Sequence, residues 1–458
     1  MTDVSVRFDR RLIPPMMLGS ILNPINSTVL AVALIPIGAA FGAPPSQTAW
    51  LVSALYLATA LGQPVVGRLI DLFGPRRLFL ISTSLVGVAG VLGTTAPNLG
   101  VLIAARVLLG FGTCAGYPAA MALLKREAAR TGHDSPAGVL TALAAANQTI
   151  AVIGPLLGGV LIAVGGWRAT FALNIPLSAL AVTLGALRLP KSPPRPLRLG
   201  PLDLPGMALF AATLVALLLF LMRPTWYLPL ITVAAGAAFT LRELRAETPF
   251  IDLRVLGGNP PLLATYGRAL VAYVVSYAFL YGFTQWTEEG YGLTPLHAGL
   301  VQIPMFLVGI AISVTIGRHP GVLTKLLLGG AAQIAACALM LTLTAASPIW
   351  LLVALAMLFG IPQGANSLAL QNSVYFQSTP DRIASCAGLL RTFGYLGSMI
   401  ASAATAASFG HHASTQGMHH LAWLMLAAAV LFLLSTLLDR TLHRVGKPRD
   451  PAAPPSSR

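Results

Sequence analysis

The sequence predicts an all-α polytopic membrane protein, and three observations carry that prediction. First, 56% of the 458 residues are hydrophobic and only 9% are charged, with a mean hydropathy of +0.77. Soluble domains carry about 25% charged residues, so lipid is the solvent for most of this chain. Second, apolar runs of about 20 residues, the length of a bilayer-spanning helix, recur along the sequence and are broken by charges and Gly/Pro clusters. Third, basic residues fall almost entirely on alternate connections, the asymmetry that orients membrane helices. A β-barrel would need polar and apolar positions in alternation, which these runs lack.

Taken in order, fourteen spans can be drawn: 12–40, 46–67, 78–96, 99–123, 137–164, 167–187, 204–222, 225–241, 261–286, 295–316, 322–345, 348–372, 383–409 and 420–438. The seventh and eighth are the shortest and are joined only by Arg223-Pro224-Thr225, so twelve is the fallback count. With the N-terminus in the cytoplasm, 24 Lys and Arg residues lie inside and two (Arg168, Arg223) outside. Three more, Arg106, Arg268 and Arg391, fall within spans. Both termini are then cytoplasmic. The chain divides into a six-helix half over 12–187 and a linker over 188–260 that holds the two inserted helices. A second six-helix half over 261–438 and a Pro/Ser-rich, disordered cytoplasmic tail over 439–458 follow. The start, MTDVSVRFDRR, has no small-residue cleavage site and reads as the flank of an uncleaved first helix. The net charge of +15 belongs to loops that orient the spans, not to a nucleic-acid surface. Cys114, Cys337 and Cys386 sit in apolar runs as packing residues.

Several motifs agree on a family. The second connection reads GRLIDLFGPRRLFL, with Gly67, Asp71, Gly74, Arg76 and Arg77 in the spacing G-x-L-x-D-x-x-G-x-R-[RK]. Its glycines permit close helix approach and a tight turn, and its acid can pair with arginine or cap a helix. RVLLGFGTCAG begins at Arg106, and GPLLGGVL places Gly154, Pro155, Gly158 and Gly159 in the fifth span. GWRATFALNIP, ETPFIDLRVL and LTPLHAGLVQIP follow at 166, 247 and 293. This set resembles the major facilitator superfamily, and within it the fourteen-spanner drug:proton antiporters of the multidrug efflux type. The resemblance implies two six-helix halves around a central cavity, a two-helix insert, and rocking of one half against the other around a midplane site. It also implies export of hydrophobic or cationic compounds in exchange for protons.

The first span departs from the resembled pattern. ILNPINSTVLAVALIP puts Asn26 where those antiporters carry an acid, and an amide does not titrate. Asn23 and Asn26 share a helix face and admit two readings: interhelical hydrogen bonds, worth about 0.6–2 kcal/mol, or contacts with substrate in the cavity. In the ninth span Tyr266, Tyr273, Tyr277 and Tyr281 fall within about 80° of one another on an ideal helix, and Glu288 returns to about 40°. This stripe is either aromatic packing ending in solvated glutamates, or a wall for cations with Glu288 as its protonatable end. Arg106, deep in the fourth span, is costly to bury and is expected to act in coupling or gating. Arg268 and Arg391 are near enough to the cytoplasm to snorkel. Gln363 and Asn366 in the twelfth span, with Gln63, Asn147, Gln148 and Asn174 elsewhere, add neutral hydrogen-bonding groups suited to a polyspecific cavity.

The thirteenth connection carries His411, His412, His419 and His420, which read either as surface histidines or as a zinc- or pH-responsive loop. No Cys, Asp or Glu is expected to join them. No phosphate-binding loop of the G-x-x-x-x-G-K-[ST] type occurs, so ATP is not the expected energy source. No cofactor, metal site or catalytic constellation is expected. The sequence therefore points to a monomeric multi-pass exporter in the cell membrane, with a small molecule, protons and the lipid bilayer as its partners. A metabolite exporter or facilitator with loose coupling, and a membrane sensor built on a transporter fold, remain the rival readings.

Overall fold

The computed structural model describes residues 9–131, 137–191, 203–223, 225–246, 249–251, 253–254, 258–317, 321–378 and 383–443. Among them the chain is helical throughout, as expected where lipid offers no partner for backbone N–H and C=O groups. The first group of helices comprises α1 (Ile13–Ala31), α2 (Leu34–Phe41), α3 (Pro45–Phe73), α4 (Pro75–Thr94), α5 (Leu99–Thr113), α6 (Gly116–Thr131), α7 (Ala137–Ala172) and α8 (Asn174–Arg188). An inserted hairpin follows, α9 (Leu204–Met222) and α10 (Leu228–Arg245). The second group comprises α11 (Pro260–Ala278), α12 (Pro295–Gly317), α13 (Val322–Met340), α14 (Ile349–Gln377), α15 (Ile383–Phe409) and α16 (Thr415–Leu438).

Ten of the described helices are long and apolar enough to cross a membrane, or eleven if α1 and α2, bent by 61° at Val32–Ala33, form one span. Breaks explain much of the gap from the fourteen expected. Gly166, at φ +68°, bends α7 where the sixth expected span begins, a backbone region that glycine enters without steric cost. The residues left in α8 then make only a 15-residue helix.

α11 continues past Ala278 through two π turns, Phe279–Phe283 and Trp286–Gly290. Each winds about one residue more per turn than an α-helix. The register arithmetic that carries the tyrosine face from Tyr281 on to Glu288 therefore does not hold across these turns.

Within the first group, α1 packs on α7, α3 on α5, and α4 on α5 and α8. Within the second, α12 packs on α14, α13 on α14 and α16, and α11 on α15. Two crossings join the groups, α3 against α15 and α7 against α12. The hairpin lies outside this seam, α9 touching both α3 and α15 while α10 rests on α9. Its outer face, with Leu230, Val233 and Leu241 exposed, is apolar, as a lipid-facing surface requires.

The far end of the seam, away from the described chain termini, is closed by direct contacts between the groups. Ser46 N donates to Gly410 O at 3.1 Å, and Ser402 Oγ to Ala49 O at 2.9 Å. Gly159 and Gly299 bring α7 and α12 into backbone contact. A Cβ on Gly159 would lie 2.6 Å from Leu296 Cα, and one on Gly299 would lie 2.5 Å from Pro155 O.

Candidate functional site

A ladder of tyrosines lies along the seam. On α11, Tyr273 stacks on Tyr277 and Tyr277 on Tyr281, each pair with ring centroids 5.9 Å apart. The first group meets the ladder with Tyr56 of α3, edge-on to Tyr277 at 5.3 Å. Tyr395 of α15 stacks on Tyr56 at 5.9 Å. Hydroxyls tie the deep end together: Tyr281 donates to Ser27 O at 3.2 Å, which leaves its oxygen to accept from Tyr56 at 3.1 Å. Tyr56 and Tyr281 are buried, whereas Tyr273, Tyr277 and Tyr395 are half-buried. Ring faces therefore become accessible away from the closed end, where a flat or cationic molecule could be held. Tyr266 leaves the ladder: it stacks on Phe393 and donates to Cys386 O at 3.0 Å.

Beside the deep end lies a polar network. Asn26 and Asn174 exchange side-chain hydrogen bonds, Asn26 Nδ2 to Asn174 Oδ1 at 2.7 Å and Asn174 Nδ2 to Asn26 Oδ1 at 2.9 Å. The two residues are 7% and 1% exposed, so this reciprocal pair takes up the amide that stands in the acidic position of the family pattern. Asn23 is half-buried and donates to Thr113 Oγ1 at 3.0 Å. Arg106, 1% exposed, donates from Nε to Leu51 O at 3.0 Å and from Nη1 to Asn26 O at 3.3 Å. It thus links α5 to α3 and α1 through backbone carbonyls. Its Nη2 is buried without a partner among the described residues, a costly state for a cation.

Glu288 is 7% exposed, so it is not a solvated loop residue. Both its carboxyl oxygens lack partners among the described residues. The π turn that carries it packs against α12 and α16. Glu289, next in sequence, instead holds the α15–α16 loop: it accepts from Ala413 N at 2.9 Å and meets His412 Nδ1 at 2.9 Å. A carboxylate does therefore join the histidine loop, contrary to expectation. No cluster of three or more metal-ligating side chains occurs among the described residues.

Gln363 lies against Gly309 of α12, and Asn366 is buried against Gly329 of α13 with its amide unpartnered. These two sit at the contacts of α14 with α12 and α13. Arg268 is buried in an ion pair with Asp439, and Arg391 lies 3.7 Å over the Tyr117 ring, a cation–π contact between the groups.

In the connecting motif, Gly74 has φ +88°, Arg76 donates to Ala186 O at 2.7 Å and Arg77 is exposed. A side chain on Gly67 would meet open space. The side chains of Asp71, Asn147 and Gln148 lie outside the described set. The GPLLGG stretch has two faces. Gly154 and Gly158 sit against Thr28 and Val29 of α1, while Pro155 and Gly159 meet Gly299 and Leu296 of α12.

Tyr56 and Tyr395 are the ladder members that periodicity does not reveal. Each is a single tyrosine in its own span, and only the α3–α15 crossing brings them to α11.

The fold and this seam describe a membrane transporter built from two helix groups that meet around a shared site. Residues 16–402 match the Major Facilitator Superfamily, and the chain belongs to that family. It is 30% identical to the uncharacterized MFS-type transporter YwoD of Bacillus subtilis (strain 168), across 91% of this chain and 94% of that protein. It is 31% identical to the lincomycin resistance protein of Streptomyces lincolnensis, across 63% of this chain and 60% of that one. The crystal structure of the nucleoside transporter NupG superposes with a TM-score of 0.62, covering 94% of this chain and 99% of that chain at 12% identity, which establishes the common fold. The protein is a multi-pass membrane transporter for a small molecule, and not an enzyme.

Proposed function

We propose that the protein is a secondary active exporter of small hydrophobic or cationic compounds, working by alternating access and proton antiport. It spans the cell membrane fourteen times as a monomer with both termini in the cytoplasm, and the halves 12–187 and 261–438 rock around the seam. The tyrosine ladder is the observation that carries this reading. Stacked rings offer apolar area and attraction for cations without a fixed anion, the chemistry a polyspecific exporter needs. Tyr273, Tyr277 and neighbouring amides receive the compound, while the glycines of 154–159 and the Gly67–Arg77 motif govern closure.

Coupling falls to residues other than Asn26. Arg106 is a buried cation of α5 hydrogen-bonded to α1 and α3, the helices that carry Ser27 and Tyr56, and Glu288 is a buried carboxyl that can bind and release a proton. Relatives that include a resistance protein support export of foreign compounds. A second reading, export without tight proton coupling, is favoured by one observation: the family's acidic position is an amide engaged by Asn174. Inside-out vesicles and a panel of lipophilic cations and neutral drugs separate the two. Under antiport, an imposed pH gradient accelerates uptake of at least one compound. Uptake that ignores the gradient for every transported compound contradicts antiport, and no uptake at all contradicts export.

A further inference from the structure

The base of the inserted hairpin holds two carboxyl groups that transport through the seam does not use. Asp203 caps α9, its Oδ1 accepting from Gly206 N at 3.0 Å and from Arg242 Nε and Nη2 at 3.0 and 2.7 Å. Glu243, in the last turn of α10, is 0% exposed, and its Oε2 accepts from Ile251 N at 2.8 Å. The other oxygen of each, Asp203 Oδ2 and Glu243 Oε1, is buried with no donor among the described residues. A methyl group on Gly206 would strike both, so they face each other across that glycine. Two facing carboxylates repel, and a single shared proton removes both the repulsion and the missing donor. Burial pushes Glu243 up to about 7, and the neighbouring Asp203 acts in the same direction against the Ile251 amide. Burial opposes the Asp203 charge, but the Arg242 guanidinium and the Gly206 amide outweigh it and hold that carboxyl below its ordinary range. The proton therefore resides on Glu243.

The segment that Glu243 holds is placed to report this proton to the seam. Phe250 and Ile251 pack with Phe210, Phe239 and Ala60 of α3 in a cluster that Tyr395 and Leu389 of α15 also join. Tyr395 thus belongs both to this cluster and to the tyrosine ladder. We propose that Asp203 and Glu243 form a proton-binding site that clamps Phe250–Ile251 onto the α3–α15 seam. In the closed clamp Glu243 Oε1–H donates to Asp203 Oδ2. Loss of that proton to water leaves two carboxylates in contact and frees the segment.

The surrounding charges are few. Arg242 is bonded to Asp203, and Arg245 on the same helix is exposed. Arg254 of the linker donates to the carbonyls of Leu244 and Ala246. The α3 and α15 members of the cluster carry no charge, and Glu247 and Asp252 lie outside the described residues. The direction of the effect follows. The folded pKa of Glu243 lies above the ordinary carboxylate value, so its contribution is complete in acid and is lost as pH rises through about 7. That of Asp203 lies below, so its contribution is lost only as pH falls beneath the ordinary carboxylate range.

Hydrogen–deuterium exchange on the full-length protein tests the clamp without any substrate, so its outcome is separable from the transport proposal. Protection of the Phe250 and Ile251 amides, corrected for intrinsic exchange, is followed from about pH 5 to about pH 8 in the wild type and in Glu243→Gln. In the wild type, protection is expected to fall by up to about tenfold per pH unit between the ordinary carboxylate range and about 7, as loss of one proton requires, and to level off above it. The amide introduced by Glu243→Gln donates at every pH, so that variant keeps acid-level protection throughout. Flat wild-type protection overturns the proposal even if the variant does not fold, and so does a variant that follows the wild type.

Discussion

Gly159 is where one methyl group would separate the two helix groups. A Cβ there would lie 2.6 Å from Leu296 Cα, 2.9 Å from Pro295 O and 3.0 Å from Leu296 N. All three are backbone atoms of the first turn of α12, which no rotamer change can move aside. Overpacking of this kind costs typically about 1–3 kcal/mol. The strain exists only while α7 and α12 are in contact. Gly159→Ala is therefore expected to shift the equilibrium toward a state open at the far end by about 5- to 150-fold. Thr95 and Ala345 are exposed on connections of the two groups, and cysteines placed there can carry spin labels while the native Cys114, Cys337 and Cys386 stay buried. Electron–electron distance measurement should show a longer population in Gly159→Ala than in the wild type. Gly267→Ala, whose methyl meets open space, should match the wild type. An unchanged distribution in Gly159→Ala, or an equal shift in Gly267→Ala, refutes the role given to this contact.

Further outcomes follow from the polar network and the ladder. Asn26→Ala leaves Asn174 without its reciprocal partner and should destabilise the protein by about 1–3 kcal/mol, read from thermal unfolding in detergent; no loss of stability contradicts the pairing. Asn26→Asp puts a titratable group beside Arg106 and Asn174 and should add a step to the pH dependence of transport, and a profile superposable on the wild type argues against this position's part in coupling. Arg106→Gln should abolish transport while the protein still folds, with Arg106→Lys recovering part of it, whereas full activity in Arg106→Gln removes Arg106 from the mechanism. Tyr277→Ala removes a ring face worth about 0.5–2 kcal/mol to a bound cation and should weaken binding of a lipophilic cation about 2- to 30-fold, while Tyr277→Phe retains it; equal affinities in the two variants contradict a ring-face site.

The helical plan was legible because lipid forces a simple code of apolar length and charge side, and α9 keeps the 204–222 range that its sequence suggested. Short-range spacing said less about contacts: Gly67, read as permitting close helix approach, has open space beside it, whereas Gly154, Gly158 and Gly159 lie against neighbouring helices. Partners distant in sequence were not legible. Asn26 meets Asn174 across 148 positions and Glu289 meets His412 across 123, and neither pair leaves a periodic mark. Glu288 shows a different failure. Spacing assumes 3.6 residues per turn, but the two π turns after Ala278 break that period, and no proline announces them.

The most direct test of alternating access is counterflow with purified protein in proteoliposomes. Vesicles are loaded with the unlabelled compound that moves fastest in the inside-out vesicle panel and diluted into a trace of the same compound carrying a label. A carrier that exposes its seam to one side at a time transiently concentrates the label above its external level, and Arg106→Gln abolishes that overshoot. Label that only equilibrates, or never enters, contradicts a rocking carrier.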